Sequence, residues 1–193
     1  MNTSKRTALV TAIGSFSADA VLRTLRREGW RIIGTDIYEA DWVAASLMVD
    51  AFYQAPYASD EEKYLAFIKE ICAREKVERI LPLIDVEVDV LNRHRAEIET
   101  GDCRICMSPE ESIRTLRDKW AMTALVRTVL ADSSTEIRKA VRTIPTERAS
   151  ELDFENVEYP IILKPVDGRS SSGLYRIYQE DQLGFALSSI MDP

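Results

Sequence analysis

The sequence contains few cysteines, a single histidine and no long apolar run. Its three cysteines are odd in number and lack the spacing of a disulfide framework, which fits a reducing compartment. Cys103 and Cys106 have the C-x-x-C spacing, but there is no second pair and His94 is the one histidine, so the sequence predicts no metal or redox centre. We expect Cys72 in the core, and Cys103 and Cys106 at the two ends of a strand.

The missing apolar run and the charge exclude other classes of protein. No segment approaches the roughly 20 apolar residues of a membrane span, and residues 1–6 lead into a strand rather than a secretory signal, so we expect a cytoplasmic protein without a membrane partner. The net charge of −7 argues against nucleic acid as the main partner. With 193 residues, the chain can bury one sizeable core, or a core and a small second unit.

Strand and helix patterns alternate through about the first 110 residues, which predicts parallel β-α-β construction, an α/β fold. Helices should lie between the strands, including one that opens at a capping box beginning at Ser59 and one over about 87–98. The expected strands are residues 7–12, 31–36, 50–54, 79–83 and 103–107.

A junction follows without a linker rich in proline or glycine. Ser108 and Pro109 predict the start of a short helix, with the serine as its cap, and Asp118 begins another helix. The remaining pattern predicts strands at 143–148, 160–166 and 173–178 and a final helix at about 181–190. We therefore divide the chain into residues 1–115 and 116–193.

The first loop has part of the layout of a dinucleotide site. Gly14 and Ser15 follow a strand and precede a helix, and Asp36 ends the next strand. Only one of the expected glycines is present, which argues against nicotinamide binding. An NAD(P)-dependent oxidoreductase or epimerase therefore stays as an alternative rather than the main interpretation. The helix start near Ser15 could instead accept a substrate carboxylate, or the segment could be a plain turn.

Acidic residues follow the fourth strand. Asp85, Glu87 and Asp89 lie where open α/β sheets place their ligands, so a substrate amine or a metal could use Asp85 and Glu87. The same acids would also suit the first turn of a helix, which favours negative charge.

A lysine in an apolar strand precedes a loop rich in serine. Strand alternation places Lys164 on one side with Ile162 and Val166. Burying an ammonium there would be costly unless an anion or an acid paired with it. Small residues at 167–173 would let backbone N–H groups and hydroxyls surround phosphate oxygens. An edge-strand lysine with an ordinary hairpin loop is the alternative.

These features together resemble the first part of an ATP-grasp domain, most closely that of carbamoyl-phosphate-synthase-like ligases. The resemblance covers nearly the whole chain, because residues 8–14, 32–36 and 80–83 look like the α/β domain that precedes ATP-grasp. It is carried by Asp118-Lys119-Trp120-Ala121-Met122, Ile144-Pro145-Thr146, Tyr159-Pro160-Ile161-Ile162-Leu163-Lys164-Pro165 and the loop 167–173.

The resemblance implies a doubly wound, Rossmann-like pre-ATP-grasp domain followed by a small α+β lid subdomain. It implies that ATP phosphates meet Lys119 and Lys164 under a mobile cover of Ser170, Ser171, Ser172 and Gly173. Mg²⁺ ligands are expected beyond residue 193, so no catalytic or metal-binding residue is assigned to this chain.

The activity implied by the resemblance is ligation through an acyl phosphate. The substrates would be a small carboxylate or bicarbonate and an amine nucleophile, in a protein that could form a homo-oligomer. We expect this chain alone to be inactive, as the N-terminal part of such a ligase. A fragment that binds a ligand or partner without catalysis is the remaining alternative.

Overall fold

The computed structural model describes residues 5–153, 156–168 and 171–191. It divides into two compact units, Met1–Ser108 and Pro109–Pro193. The boundary expected at residue 115 falls inside the first helix of the second unit. No helix in these described ranges is both long enough and apolar enough to cross a membrane.

The first unit is built on a parallel sheet, as the alternating pattern predicted. Its order is β3-β2-β1-β4-β5, so the chain moves outward from β1 on one side and then returns to build the other side. Leu9 of β1 pairs with Ile33 of β2 and with Ile80 of β4. The strands are β1 (Thr7–Val10), β2 (Arg31–Asp36), β3 (Ala51–Gln54), β4 (Arg79–Leu81) and β5 (Arg104–Ile105).

Helices cover both faces of this sheet, which confirms the predicted α/β, doubly wound class. Successive strand side chains point to opposite faces, so Leu9 and Ile33 enter one core cluster while Val10 and Ile32 enter the other. The four helices are α1 (Ala18–Arg27), α2 (Glu61–Glu75), α3 (Asp85–Arg93) and α4 (Arg95–Ile98), with 3₁₀ turns at Ala40–Trp42 and Ala44–Met48.

Three helix boundaries differ from the sequence prediction. Asp60, rather than Ser59, caps α2, because its carboxylate accepts a hydrogen bond from the Lys63 N–H at 3.4 Å. The helix expected over 87–98 is divided at His94, whose backbone leaves helical geometry at φ −110° and ψ 20°. Before the next helix, Pro109 is the N-cap and no side chain caps it, so the predicted serine cap was wrong.

The second unit combines helices with a two-stranded antiparallel hairpin. In the hairpin, Ile162 pairs with Arg176, and Ile177 packs with Leu183 and Ala186 in a small core. The elements are α5 (Glu110–Arg117), α6 (Lys119–Ala131), α7 (Thr135–Ala140), β6 (Ile161–Leu163), β7 (Tyr175–Ile177) and α8 (Leu183–Met191).

Two features of this unit differ from the sequence pattern. Residues 143–148, expected as a strand, form none: Ile144 is 83% exposed and Pro145 has no N–H to donate to a neighbouring strand. The helix α7 was not predicted. Its signal is Ser134, whose hydroxyl accepts a hydrogen bond from the Ile137 N–H at 3.4 Å.

Candidate functional site

A buried polar cluster lies where β1 and β4 end. Thr11 directly follows β1, and its hydroxyl donates a hydrogen bond of 2.6 Å to the Glu87 carboxylate of α3. Thr11 also donates its N–H to the Leu81 carbonyl at 3.2 Å, which joins the ends of the two strands. Both polar side chains are buried. This is the edge at which open α/β sheets bind ligands, because the order in which strands are added to the sheet reverses between β1 and β4.

Glu87 has an environment that disfavours its charged form. Burial raises its pKa to about 7, and the nearby Asp36 carboxylate acts in the same direction against the Thr11 hydrogen bond. The Tyr64 hydroxyl of α2 lies beside Glu87 but completes no hydrogen bond. Among the described residues, no lysine or arginine forms an ion pair with Glu87. A buried acid with this environment is a candidate group for binding a cationic ligand.

The loop after β1 is hydrogen-bonded to Asp36, the last residue of β2. The Gly14 N–H donates to Asp36 Oδ2 at 2.8 Å, and the Tyr38 N–H donates to the other carboxylate oxygen at 3.2 Å. A Cβ at Gly14 would lie 2.9 Å from Asp36 Oδ2, so the glycine permits this approach. Asp36 therefore faces the loop rather than a ribose, and this geometry does not favour the NAD(P) alternative.

The remaining candidates of this unit occupy different surroundings. The Ser15 N–H donates to the Ala12 carbonyl at 2.9 Å, so it completes a turn in which Ala12 has a positive φ of 48°. Asp85 is exposed as the first residue of α3, while Glu87 is buried. Helical geometry separates the two acids because residues two positions apart lie on different sides of a helix.

Most of the predicted phosphate-binding residues meet around one cavity in the second unit. The cavity has a volume of about 220 Å³, and Lys119, Lys164, Ser171 and Ser172 all contribute to its wall. Gly168, Pro165 and Leu174 complete the lining. Ser170 lies outside the described residues. Two ammonium groups beside two serines suit an anion with several oxygen acceptors.

Lys119 links the start of α6 to the hairpin loop. Asp118 caps this helix by accepting hydrogen bonds from the Trp120 and Ala121 N–H groups at 2.8 and 2.9 Å. The next residue, Lys119, donates its N–H to the Val166 carbonyl at 2.9 Å. Its ammonium donates to the Gly168 carbonyl at 2.5 Å and to the Val166 carbonyl at 3.2 Å. An ammonium has three donors, and contacts with the described residues use two of them.

Lys164 is exposed, which agrees with the edge-strand alternative for its position. Ile161 and Leu163 pack against the small core, so alternation turns Ile162 and Lys164 to the other face of the hairpin. Among the described residues, Lys164 makes no hydrogen bond or ion pair. It needs no partner to offset burial, and its charge is accessible to a ligand.

The loop between β6 and β7 requires small residues at particular positions. Ser171 and Gly173 have positive φ values of 60° and 68°. A Cβ on Gly173 would lie 2.8 Å from Pro165 Cγ, so a larger residue would be both strained and crowded. Ser171 and Ser172 of this loop line the same cavity as Lys164.

Sequence reasoning missed Thr11 and Tyr64 as members of the first cluster. Thr11 gives a weak signal, a polar residue that directly follows an apolar strand, and Tyr64 gives none, because it lies among the buried apolar residues of α2. The described residues contain no cluster of three or more histidine, cysteine, aspartate or glutamate side chains that could hold a metal ion.

The parallel sheet of the first unit has the fold of the N-terminal domain of ATP-grasp proteins. The sequence model of the PylC-like N-terminal domain matches residues 9–106, just over half of the chain, so the chain belongs to this family. The predicted membership of the ATP-grasp superfamily is thereby confirmed. No curated protein sequence matches the chain.

Solved structures of ATP-grasp enzymes share the fold. The biotin carboxylase domain of Hydrogenobacter thermophilus 2-oxoglutarate carboxylase is 17% identical with a TM-score of 0.65, covering 96% of this chain and 40% of its own. Campylobacter jejuni biotin carboxylase is 21% identical with a TM-score of 0.65, and the match covers 96% of this chain and 41% of that enzyme. The L-amino acid ligase of Bacillus licheniformis is 12% identical with a TM-score of 0.62, and the match covers 99% of this chain and 43% of that enzyme. The chain thus spans less than half the length of these structures.

Proposed function

We propose that this chain forms the phosphate-binding wall and a substrate-binding unit of an ATP- and Mg²⁺-dependent carboxylate–amine ligase. The observation that carries the proposal is the meeting of Lys119, Lys164, Ser171 and Ser172 around one cavity. The structural neighbours support it: the Hydrogenobacter domain was crystallised with MgADP, ADP and bicarbonate, and the Campylobacter enzyme with an ATP analogue. Assignment to the carbamoyl-phosphate-synthase-like subgroup stays a prediction.

Each residue around the cavity would have a defined task. Lys164 would bring a positive charge to the phosphate oxygens, and Lys119 would keep the loop at Gly168 attached to α6 while offering its remaining donor. Ser170, Ser171, Ser172 and Gly173 would cover the phosphates and exclude water from a reactive acyl phosphate. Positive charge placed in advance stabilises the charge that spreads over a phosphoryl group during transfer.

The buried cluster at the sheet edge would bind the second substrate. Glu87 presents a carboxylate without a cationic partner, so it would accept the ammonium of an amine substrate, with Thr11 fixing its orientation. Asp85, Gly14 and Ser15 lie on the same edge of the sheet and would contact the substrate from the exposed side. A cation bound at Glu87 would lower the carboxyl pKa again.

The described cavity is too small for a whole nucleotide. Its 220 Å³ falls below the roughly 300–1,000 Å³ of typical small-molecule pockets, although it can take phosphate groups. Magnesium would neutralise phosphate charge, yet the described residues offer no cluster of metal ligands, so none of them is assigned to it. We therefore propose that this chain alone binds ATP weakly and does not turn it over.

Titration of the 193-residue chain with inorganic triphosphate and with ATP, followed by ¹⁵N NMR, tests the phosphate site. We expect millimolar binding that shifts the signals of the 164–174 loop and weakens at least tenfold in Lys164→Ala. Lys139→Ala is the matched control, since this lysine of α7 lies in the same unit but outside the cavity. Equal weakening in both variants, or no binding, would contradict the site.

A second experiment addresses the reaction. Purified full-length protein should release ADP only when a carboxylate or bicarbonate and an amine are both supplied, and Glu87→Gln should raise the KM for the amine more than that for ATP. Binding of NAD(P) in place of ATP would reject the ligase assignment. Because the Hydrogenobacter domain is a dimer, light scattering of the same sample tests the proposed homo-oligomer.

A further inference from the structure

Two cysteines that are distant in sequence meet at the edge of the sheet opposite the buried acid. Cys72 lies near the end of α2, Cys103 directly precedes β5, and both residues line the same cavity. Both pack against the same core cluster. Strand alternation places Cys106 on the other side of β5 from Cys103. The C-x-x-C spacing in the sequence therefore misidentifies the partner of Cys103.

The cavity lined by both cysteines has a volume of about 470 Å³. Its lining also includes the Lys69 and Glu97 side chains, which form an ion pair of 2.5 Å, together with Thr100. The cavity is polar enough to admit water-sized molecules and much larger than one of them. A small oxidant can therefore reach two thiols that the core otherwise shields.

The surroundings give the two thiols different roles. Arginines flank Cys103: Arg104 donates to the Cys103 carbonyl at 2.6 Å, and Arg79 donates to the Asp102 carbonyl at 3.0 Å. The interaction with Cys72 and the two arginine charges lower the pKa of Cys103 against the effect of burial, whereas the interaction with Cys103 and burial both raise the pKa of Cys72. Cys103 is thus the better nucleophile, and Cys72 is positioned to resolve its oxidised form.

We propose that Cys72 and Cys103 are a peroxide-sensitive dithiol that closes a disulfide between α2 and β5. The Cys103 thiolate attacks hydrogen peroxide, the O–O bond breaks, and the departing hydroxide takes a proton to become water. The Cys72 sulfur, losing its proton, then attacks the Cys103 sulfenic acid, so that the S–O bond breaks and a second water leaves. Two thiols are oxidised and one peroxide is reduced.

The bond would constrain the first unit. It would enclose the segment from residue 73 to residue 102, which contains β4, α3 and α4. Closing a loop of this length removes conformational freedom from the unfolded chain. We expect the melting temperature of the oxidised 193-residue chain to rise by about 10 °C.

The test treats the reduced 193-residue chain with equimolar hydrogen peroxide, blocks free thiols with N-ethylmaleimide and digests with trypsin. The three cysteines fall in separate tryptic peptides, 70–74, 96–104 and 105–114. We expect a mass loss of about 2 Da before digestion, reversed by dithiothreitol, and a linked species of peptides 70–74 and 96–104. Peptide 105–114 should carry the maleimide.

Cys106→Ser is the matched control and should still form the bond, whereas Cys72→Ser and Cys103→Ser should not. If either of these two variants fails to fold, peptide mapping of the wild-type chain decides alone. A link between peptides 96–104 and 105–114 would overturn the proposal. So would peroxide-treated protein in which peptides 70–74 and 96–104 both carry the maleimide.

Discussion

Replacing Glu87 with glutamine tests whether the buried carboxyl beside Thr11 reduces the stability of the fold when it is charged. Glutamine keeps the size of the side chain, and its oxygen can still accept the 2.6 Å hydrogen bond from Thr11. Its amide N–H₂ can also donate to the Tyr64 hydroxyl, which has no hydrogen-bond partner in the described residues. The substitution therefore removes the charge while the polar contacts are retained or improved.

The magnitude follows from the pKa. Burial raises the pKa of Glu87 from 4.5 to about 7, so the folded state binds this proton more tightly than the unfolded state does. The resulting contribution to stability is lost as the pH rises from about 4.5 to 7. Above this window the charged carboxyl costs about 3 kcal/mol relative to the protonated one. Glu87→Gln should therefore gain up to about 3 kcal/mol at pH 8 and little at pH 4.5.

Urea unfolding at several pH values measures this difference. Of the three tryptophans, Trp30 and Trp42 lie in the first unit, so a Trp120→Phe background makes fluorescence report on that unit alone. The difference in unfolding free energy between Glu87→Gln and its parent should grow with pH, because other titrating groups contribute equally to both. A difference that is independent of pH, or a variant less stable than its parent at pH 8, would refute the reasoning.

Three further predictions concern other parts of the chain. An NMR titration of His94 should give a pKa above 6.5, because Glu97 and Glu61 favour the charged ring, and Glu97→Gln should lower that pKa. The stabilisation from the charged ring is present below about pH 6.5 and is lost as the pH rises through the folded pKa. A pKa of 6.5 in the wild type would contradict this. Gly34→Ala should destabilise the first unit by about 1–3 kcal/mol in urea, because its Cβ would lie 2.7 Å from Ile13 Cδ1 and 2.9 Å from a Val49 methyl; an unchanged urea midpoint would count against this crowding. Gly184→Ala should instead stabilise the second unit by about 0.5–1 kcal/mol, because α8 favours alanine and, outside the neighbouring residues and the helix backbone, no atom of the described residues lies within 4 Å of the added methyl. A lower melting temperature would oppose it.

The sequence predicted the first unit well because its signals are local. Residues 31–36 were predicted as a strand and form β2 with the same bounds. Apolar runs that alternate with helical patterns leave few arrangements other than a parallel sheet between helices. The strand predicted at residues 143–148 does not form, because a strand requires hydrogen bonds to a neighbouring strand. The local sequence pattern does not show whether such a neighbour exists.

One candidate site could be predicted from local sequence signals, and the other could not. Lys119, Lys164 and the serine loop were identifiable because their order along the chain resembles a known arrangement, whereas the sequence left open whether Lys164 is buried or exposed. The contact between Thr11 and Glu87 joins residues 76 positions apart. No local pattern contains it, because it depends on β4 pairing beside β1 and on the direction in which α3 begins.

The sequence by itself therefore determined the strands of the first unit, the class of fold and the lysines that point to a phosphate ligand. Only the tertiary structure decided which polar groups share an environment: Glu87 with Thr11 and Tyr64, and Cys72 with Cys103 rather than Cys106. The physical reason is that hydrogen bonding and desolvation act over a few ångströms of space, whereas sequence patterns record only neighbours along the chain.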